Sequence, residues 1–254
     1  MRIAVIGGTG VAGRHTVDSV RRAGHEALVV SRARGVDVSI GAGLDEARWP
    51  ASTRSSTSAA CRAPTRSRRG ASSRPPPGIS SPPSSARGCA ITCCCRSWGV
   101  DRIEGNAHFA GKRTQEELLF AGPVPVTIQR VTQFHEFAET VVAWTRQGDV
   151  ASIPPLLVQP VAAADVGDVL AEIAGGDPQG RATDLAGPEP QDFVDMARRA
   201  PAARGESIRL LPSWRTGVFG IDAAGEMLLP GPDARLAPTT FDAWLARWAA
   251  APTT

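Results

Sequence analysis

The chain has 254 residues, with 28 Lys+Arg against 25 Asp+Glu and 42% hydrophobic residues. That length can bury one sizeable core with an elaborated C-terminal lobe, and no apolar run reaches the roughly 18 residues of a membrane helix. Nothing resembles a secretory leader before the RIAVIGG that follows Met1, so a cytoplasmic location without membrane association is expected.

The formal charge of +3 suggests nucleic acid until it is located. Nine of the 28 basic residues lie between Arg48 and Trp98, a segment without Asp or Glu. Removing those nine leaves 19 basic against 25 acidic residues, a mildly acidic body for which no nucleic-acid partner is expected. All five cysteines, Cys61, Cys89, Cys93, Cys94 and Cys95, fall in the same segment.

In chain order, Arg2 to Ile6 is a short apolar strand, Val11 to Ala23 a helix that Gly24 can end, and Ala27 to Val30 a second strand. This opens a βαβ unit. The first strand meets the helix through Gly7-Gly8-Thr9-Gly10-Val11-Ala12-Gly13, a G-x-x-G-x-x-G turn. Gly7 permits the tight turn, Gly10 admits a pyrophosphate to the backbone, and Gly13 lets helix and strand pack closely. The helix N-terminus then offers N–H groups and a favourable dipole to the anion. After the second strand, NAD-preferring sites place an acidic residue for the ribose hydroxyls. This chain has Ser31-Arg32-Ala33-Arg34, so Arg32, helped by Arg14, is expected to stack on the adenine or pair with a 2′-phosphate. NADP is the expected cofactor, with NAD as the alternative. Asp37, on an expected third strand, is placed near the adenine.

From Arg48 to Trp98 the text becomes Ser, Arg, Pro and Ala, with no Leu or Val. Taken literally it has too little apolar surface to offset ordering entropy, so it is expected to be irregular as written. Adjacent Cys93, Cys94 and Cys95 point different ways on any regular element, so no metal site is expected. An odd cysteine count argues against a disulfide framework. A coding explanation fits better. One lysine, Lys112, against 27 arginines indicates GC-rich DNA. If the segment is read out of frame, each true codon joins the last base of one written codon to the first two of the next. Cys and Trp then become Val, Leu or Met; Ser from its TCN box becomes Phe, Leu, Ile or Val; Thr becomes polar; Arg from CGN becomes small. Ile91 to Trp98 can thus be spelled H-H-V-L-L-S-I-V, and Thr53 to Ser58 gives D-A-V-V-D-V, two strands that the written text lacks. One base lost near Ala47 and one gained near Trp98 would preserve the length. The product as written is then expected to fold or to bind cofactor poorly.

Globular patterning resumes at Gly99. Thr114 to Ala121 reads as helix, Val124 to Val131 as a strand, and Val158 to Val161 as a strand entering a helix at Ala164 to Ala174. Thr240 can cap a last helix whose Phe241, Trp244, Leu245 and Trp248 share one face, read as core.

MRIAVIGGTGVAGRH, the VVSRARG step, GVDRIEG…GKRTQEELL, PVTIQRVTQFHEF and QPVAAADVGDVL together resemble the atypical short-chain dehydrogenase/reductases (SDR), in particular the NmrA-like NAD(P)-binding proteins. The resemblance covers most of the chain outside residues 48 to 98. It implies a Rossmann-type doubly wound parallel sheet, strand order 3-2-1-4-5-6 with a seventh strand, in an NAD(P)-binding domain over 1–175, and a small C-terminal substrate-side lobe over 176–254. It also implies that the loop of Gln133, Phe134, His135 and Glu136, after the sixth strand, lines the substrate pocket near the nicotinamide, with Gln133, Phe134 and His135 as the pocket residues. Hydride-transferring members use Tyr-x-x-x-Lys, the lysine lowering the tyrosine pKa. Here Lys112 is suitably placed, but four residues before it stands His108, and the chain has no tyrosine. Lys112 and His108 are the catalytic candidates; the assisting serine would lie in the reframed strand. Asp165 is read as capping a helix or orienting a loop. The expected function is an NAD(P)-binding oxidoreductase-like protein acting on a small molecule, or a non-catalytic NADP-binding sensor or regulator.

Overall fold

A computed structural model describes residues 1–36, 53–57, 92–97, 99, 101–102, 107–216 and 219–251, by backbone alone at 53–57, 92–97, 107–108 and 216. In chain order the elements are β1 (Arg2–Ile6), α1 (Val11–Arg22), β2 (Glu26–Val30), β3 (Thr53–Thr57), β4 (Thr92–Ser97), α2 (Ala107–Phe120), β5 (Val126–Val131) and α3 (Phe137–Thr145). They continue with β6 (Arg146–Gln147), β7 (Val150–Ile153), β8 (Leu157–Val158), α4 (Ala163–Gly175), β9 (Gly180–Arg181), β10 (Leu185–Ala186), β11 (Gln191–Asp192), α5 (Phe193–Ala202), β12 (Arg209–Pro212), β13 (Arg235–Leu236) and α6 (Phe241–Ala250).

The chain forms two units. The first comprises Met1–Cys95, Arg113–Ile128 and Gly167–Arg181; the second Arg96–Lys112, Gln129–Val166 and Ala182–Thr254.

In the first unit the strands run in the order β5-β4-β3-β1-β2. β1 lies parallel between β2 and β3, with Ala4 opposite both Leu28 and Ser55, and β3 pairs parallel with β4 through Ser56 and Cys93. Ile3, Ala4 and Val5 are all fully buried, so β1 is covered on both faces, as in parallel sheets flanked by helices. α1 turns Val17 and Val20 onto Ile3 and Val5, where Ala171 and Ala174 of α4 join the cluster. α1 and α4 pack closely: a Cβ on Gly167 would lie 2.7 Å from the His15 carbonyl carbon. Asp168 accepts from the Ser19 hydroxyl at 2.6 Å and from Arg22 at 2.7 Å.

In the second unit β13, β10 and the end of β5 are parallel neighbours in that order. Its core joins Val141 and Val142 of α3, Phe193, Met196 and Ala197 of α5, and Phe241 and Trp244 of α6, with Leu245 and Trp248 packed against it. The core reading of that last face therefore holds, and Thr240 caps α6 by accepting from the Ala243 N–H at 3.1 Å. A separate sheet β12-β7-β6 pairs β12 parallel and β6 antiparallel with β7.

This is the expected doubly wound parallel order. The expected third strand, with Asp37, lies outside the described residues. One expectation is corrected: within the segment read as irregular as written, Thr53–Thr57 and Thr92–Ser97 are strands β3 and β4. Ladder hydrogen bonds come from the backbone, so a stretch without proline can be held by neighbouring strands whatever its side chains. Both stretches lack proline, unlike much of the segment around them; its other residues between 58 and 91 lie outside the described residues.

Candidate functional site

In the first unit, β1 ends at a turn built on Gly7, whose φ is 76°. The Gly7 N–H donates to the Val30 carbonyl at 2.8 Å and the Gly10 N–H to the Gly7 carbonyl at 2.8 Å. α1 then begins with extended Gly10 as its N-cap, no capping side chain and no acidic residue in its first turn. Its first N–H groups are thus left to a ligand or to water. Gly13 faces the turn so closely that a Cβ there would sit 2.0 Å from the Gly7 oxygen. Gly8 is nearly as confined, its Cβ position lying 3.0 Å from both the Val5 carbonyl oxygen and Val29 Cγ1. Thr9, Gly10, Val11 and Arg14 are exposed along the rim.

At the end of β2, Ser31 is buried and its hydroxyl has no hydrogen-bond partner. Its carbonyl accepts from the N–H groups of Arg34 at 2.9 Å and Val36 at 3.2 Å, curling Arg32–Arg34 into an exposed 3-10 turn closed by left-handed Gly35. An uncapped helix start, a glycine contact that admits no side chain, and an orphaned hydroxyl beside two exposed arginines all suit an anionic, phosphate-bearing ligand. They fit a dinucleotide.

Lys112 lies on α2 with only 4% of its surface exposed. His108, one turn earlier on the same helix, is placed by its backbone.

In the second unit, β5 runs out into Thr132, Gln133, Phe134 and His135 at the carboxyl end of the parallel strands, where ligands bind in open α/β sheets. Thr132 donates its N–H to Leu185 at 3.0 Å, and Gln133 and His135 bond through their backbones to Val161. Three side-chain atoms have no partner: Thr132 Oγ1, Gln133 Oε1 and His135 Nδ1. His135 is 1% exposed, with its ring between Phe241 and Trp244 at centroid distances of 5.5 and 5.8 Å. Its Nε2 lies 3.1 Å from the Thr239 carbonyl, which assigns the proton to Nε2. Burial holds its pKa below the ordinary value, against the opposing pull of the Thr239 carbonyl and Asp165. The ring is therefore neutral at pH 7, and Nδ1 is an acceptor.

Two further residues fix this loop. The Asp165 carboxylate accepts from the Thr239 N–H at 3.1 Å and its hydroxyl at 2.9 Å, the loop-orienting role read from the sequence. Glu136 accepts from Trp244 Nε1 at 3.0 Å and from the Ala163 N–H at 3.4 Å. Glu136 belongs to the loop read from the sequence as lining the pocket, whereas Gly187 was not singled out there. A Cβ on Gly187 would fall 1.7 Å from the Pro160 oxygen, and the Gly-Pro step that follows β10 is its one sequence cue.

Many solved structures share this architecture. A dTDP-4-dehydrorhamnose reductase from Bacillus anthracis, solved in complex with NADP, superposes with a TM-score of 0.60 at 11% identity, covering 97% of this chain and 98% of that one. The fold is a Rossmann-type α/β fold. A nucleoside-diphosphate-sugar epimerase from Staphylococcus aureus matches with a TM-score of 0.59 at 15% identity over 97% of this chain and 100% of that one. An NADPH-dependent quinone oxidoreductase from Escherichia coli gives 0.57 at 12% identity, with 96% and 98% covered. No protein-family model matches the sequence, and no curated protein does. Among the described residues, no helix is long and apolar enough to cross a membrane, and no cluster of His, Cys, Asp or Glu could hold a metal ion.

Proposed function

We propose that the chain is an NAD(P)-binding, oxidoreductase-like protein of the atypical SDR class, NmrA-like in character and NADP-preferring, acting in the cytoplasm on a small molecule. The same reading takes residues about 48 to 98 as an out-of-frame stretch of such a protein. The observation that carries the cofactor is the Gly13 contact, which leaves no room for a side chain and brings the uncapped start of α1 against the turn. Gly7, Gly8, Thr9, Gly10, Val11 and Gly13 would cradle the pyrophosphate; Arg14, Ser31 and Arg32 would meet the adenosine 2′-phosphate. Similarity to proteins solved with NADP or described as NADPH-dependent supports the same assignment.

When bound, the nicotinamide would supply hydride chemistry. Lys112, one turn from His108, would hold the ribose, and Gln133, Phe134 and His135 would shape the substrate side. A second reading rests on a separate observation, the absence of tyrosine: the protein binds NADP as a sensor or regulator without turning it over. Titration with NADPH and NADH by nucleotide fluorescence tests the shared claim, and binding of neither dinucleotide would sink it. Following NADPH absorbance with a panel of carbonyls and quinones separates the two readings. Turnover that falls in His108→Ala and Lys112→Met supports the enzyme, whereas binding without turnover supports the sensor.

A further inference from the structure

In the central strands β3 and β4, position in the fold and the chemistry of the written residues disagree. β3 lies between β1 and β4, and its register sets Arg54 opposite Ile3, Ser55 opposite Ala4 and Ser56 opposite Val5. Those three β1 residues are each 0% exposed, so both faces of the sheet are covered at these rungs. Parallel strands at such a position are ordinarily continuous Val, Ile and Leu runs. The written strands are TRSST and TCCCRS.

We propose that β3 and β4 as written are wrong-frame images of two apolar central strands, and that the in-frame protein carries apolar residues at 55, 56, 93, 94, 95 and 97 and a small residue, spelled serine in GC-rich codons, at 96. The shifted-frame classes fall on the structure rung by rung. Arg54 becomes small at the rung of Ile3, and Ser55 and Ser56 become Phe, Leu, Ile or Val at the rungs of Ala4 and Val5. Cys93, Cys94 and Cys95 become Val, Leu or Met along β4. The strand bounds agree too: the two stretches that reframe into strands, 53–58 and 91–98, enclose Thr53–Thr57 and Thr92–Ser97. Sense returns at Gly99, which is buried with a φ of 81°, a conformation that suits the glycine written there. Arg130 then pairs through both guanidinium nitrogens with Asp101, two residues beyond the return of frame.

The shifted frame also has few routes to a stop. TGA and TAA stops would need a written codon beginning GA or AA, and the segment contains no Asp, Glu, Lys or Asn. Only an AGN serine or arginine after a codon ending in T could close it. The residue at 96 stands near the carboxyl end of β4, the end at which parallel sheets receive ligands.

Two measurements test this, and neither depends on the cofactor assignment. The coding DNA from codon 47 to codon 99, translated in the shifted frame, should run without a stop and give apolar residues at 55, 56 and 97 and a small one at 96. A stop codon, or AGN codons at Ser55 and Ser56, overturns the proposal. A chain translated in the restored frame should unfold cooperatively at a higher temperature than the written chain, or show a transition where the written chain shows none; a restored chain no more stable overturns the proposal. Ser55→Val and Ser56→Val in the written chain should each raise any measurable midpoint by roughly 2–4 °C. A restored chain that gains stability but binds no NADPH leaves the frame assignment standing and sinks the cofactor reading instead.

Discussion

Gly13 and His135 show what single residues decide. For Gly13→Ala the added carbon would stand 2.0 Å from a backbone oxygen, with no flexible side chain to yield, so the turn or α1 must move. Overpacking of this kind costs about 1–3 kcal/mol, and displacing the helix start should weaken NADPH binding at least about tenfold, some 1.4 kcal/mol. A variant that melts lower but binds NADPH normally would show that the contact is structural alone. His135 makes stability depend on pH. Its folded pKa lies below the ordinary 6.5 because burial disfavours the charged ring. The unfolded chain therefore binds more protons below that pH, and stability should be complete above about 6.5 and decline as pH falls toward the folded pKa. His15, half-buried beside Arg14 and also lowered, adds a contribution of the same sign. Melting between pH 8 and 5 should show the decline, and His135→Gln should flatten part of it; an unchanged slope would remove His135 from the effect.

At the scale of elements, legibility followed the strength of local signals. β1, α1 and β2 were readable because apolar runs and a 3.6-residue period end at glycines, and Gly24 does take a left-handed φ of 77°. Thr240 announced α6 by its cap. The helix read from Thr114 instead begins at Ala107, since its first two turns, AHFAGKR, have no apolar period to mark them. β6, β9, β10, β11 and β13 are two residues long, too short for any period. β12 finds β7 across nearly sixty residues, a pairing set by tertiary packing. The same packing makes a prediction: Gly187→Ala, with its Cβ 1.7 Å from the Pro160 oxygen, should destabilise the second unit by at least about 2 kcal/mol. Gly205→Ala, with nothing within 4 Å but a φ of 75°, should cost about 1 kcal/mol. Chemical denaturation of both variants checks the order, and the reverse order would mean that the loop after β10 yields freely.

For the molecule as a whole, the glycine turn behind the first strand marked the opening βαβ unit, while the sheet order came only through the family resemblance. The proposed NADP preference was legible only through Ser31 and Arg32, with Arg14 beside them; Arg32 opens an exposed turn next to the buried Ser31 hydroxyl, which has no partner. A ligand that binds the folded chain alone stabilises it by mass action, about 2.7 kcal/mol at a hundred times its Kd. For a protein of this size that is roughly 5–11 °C in the unfolding midpoint. NADPH should therefore raise the midpoint of a folded, in-frame chain by that much, and NADH at the same concentration by less. Arg32→Ala should shrink the NADPH shift toward that of NADH without altering the latter, because only NADPH carries the phosphate the guanidinium would meet. Equal shifts from the two dinucleotides before mutation would show that Arg32 is a solvated loop charge. Equal losses after it would show that the turn itself had collapsed.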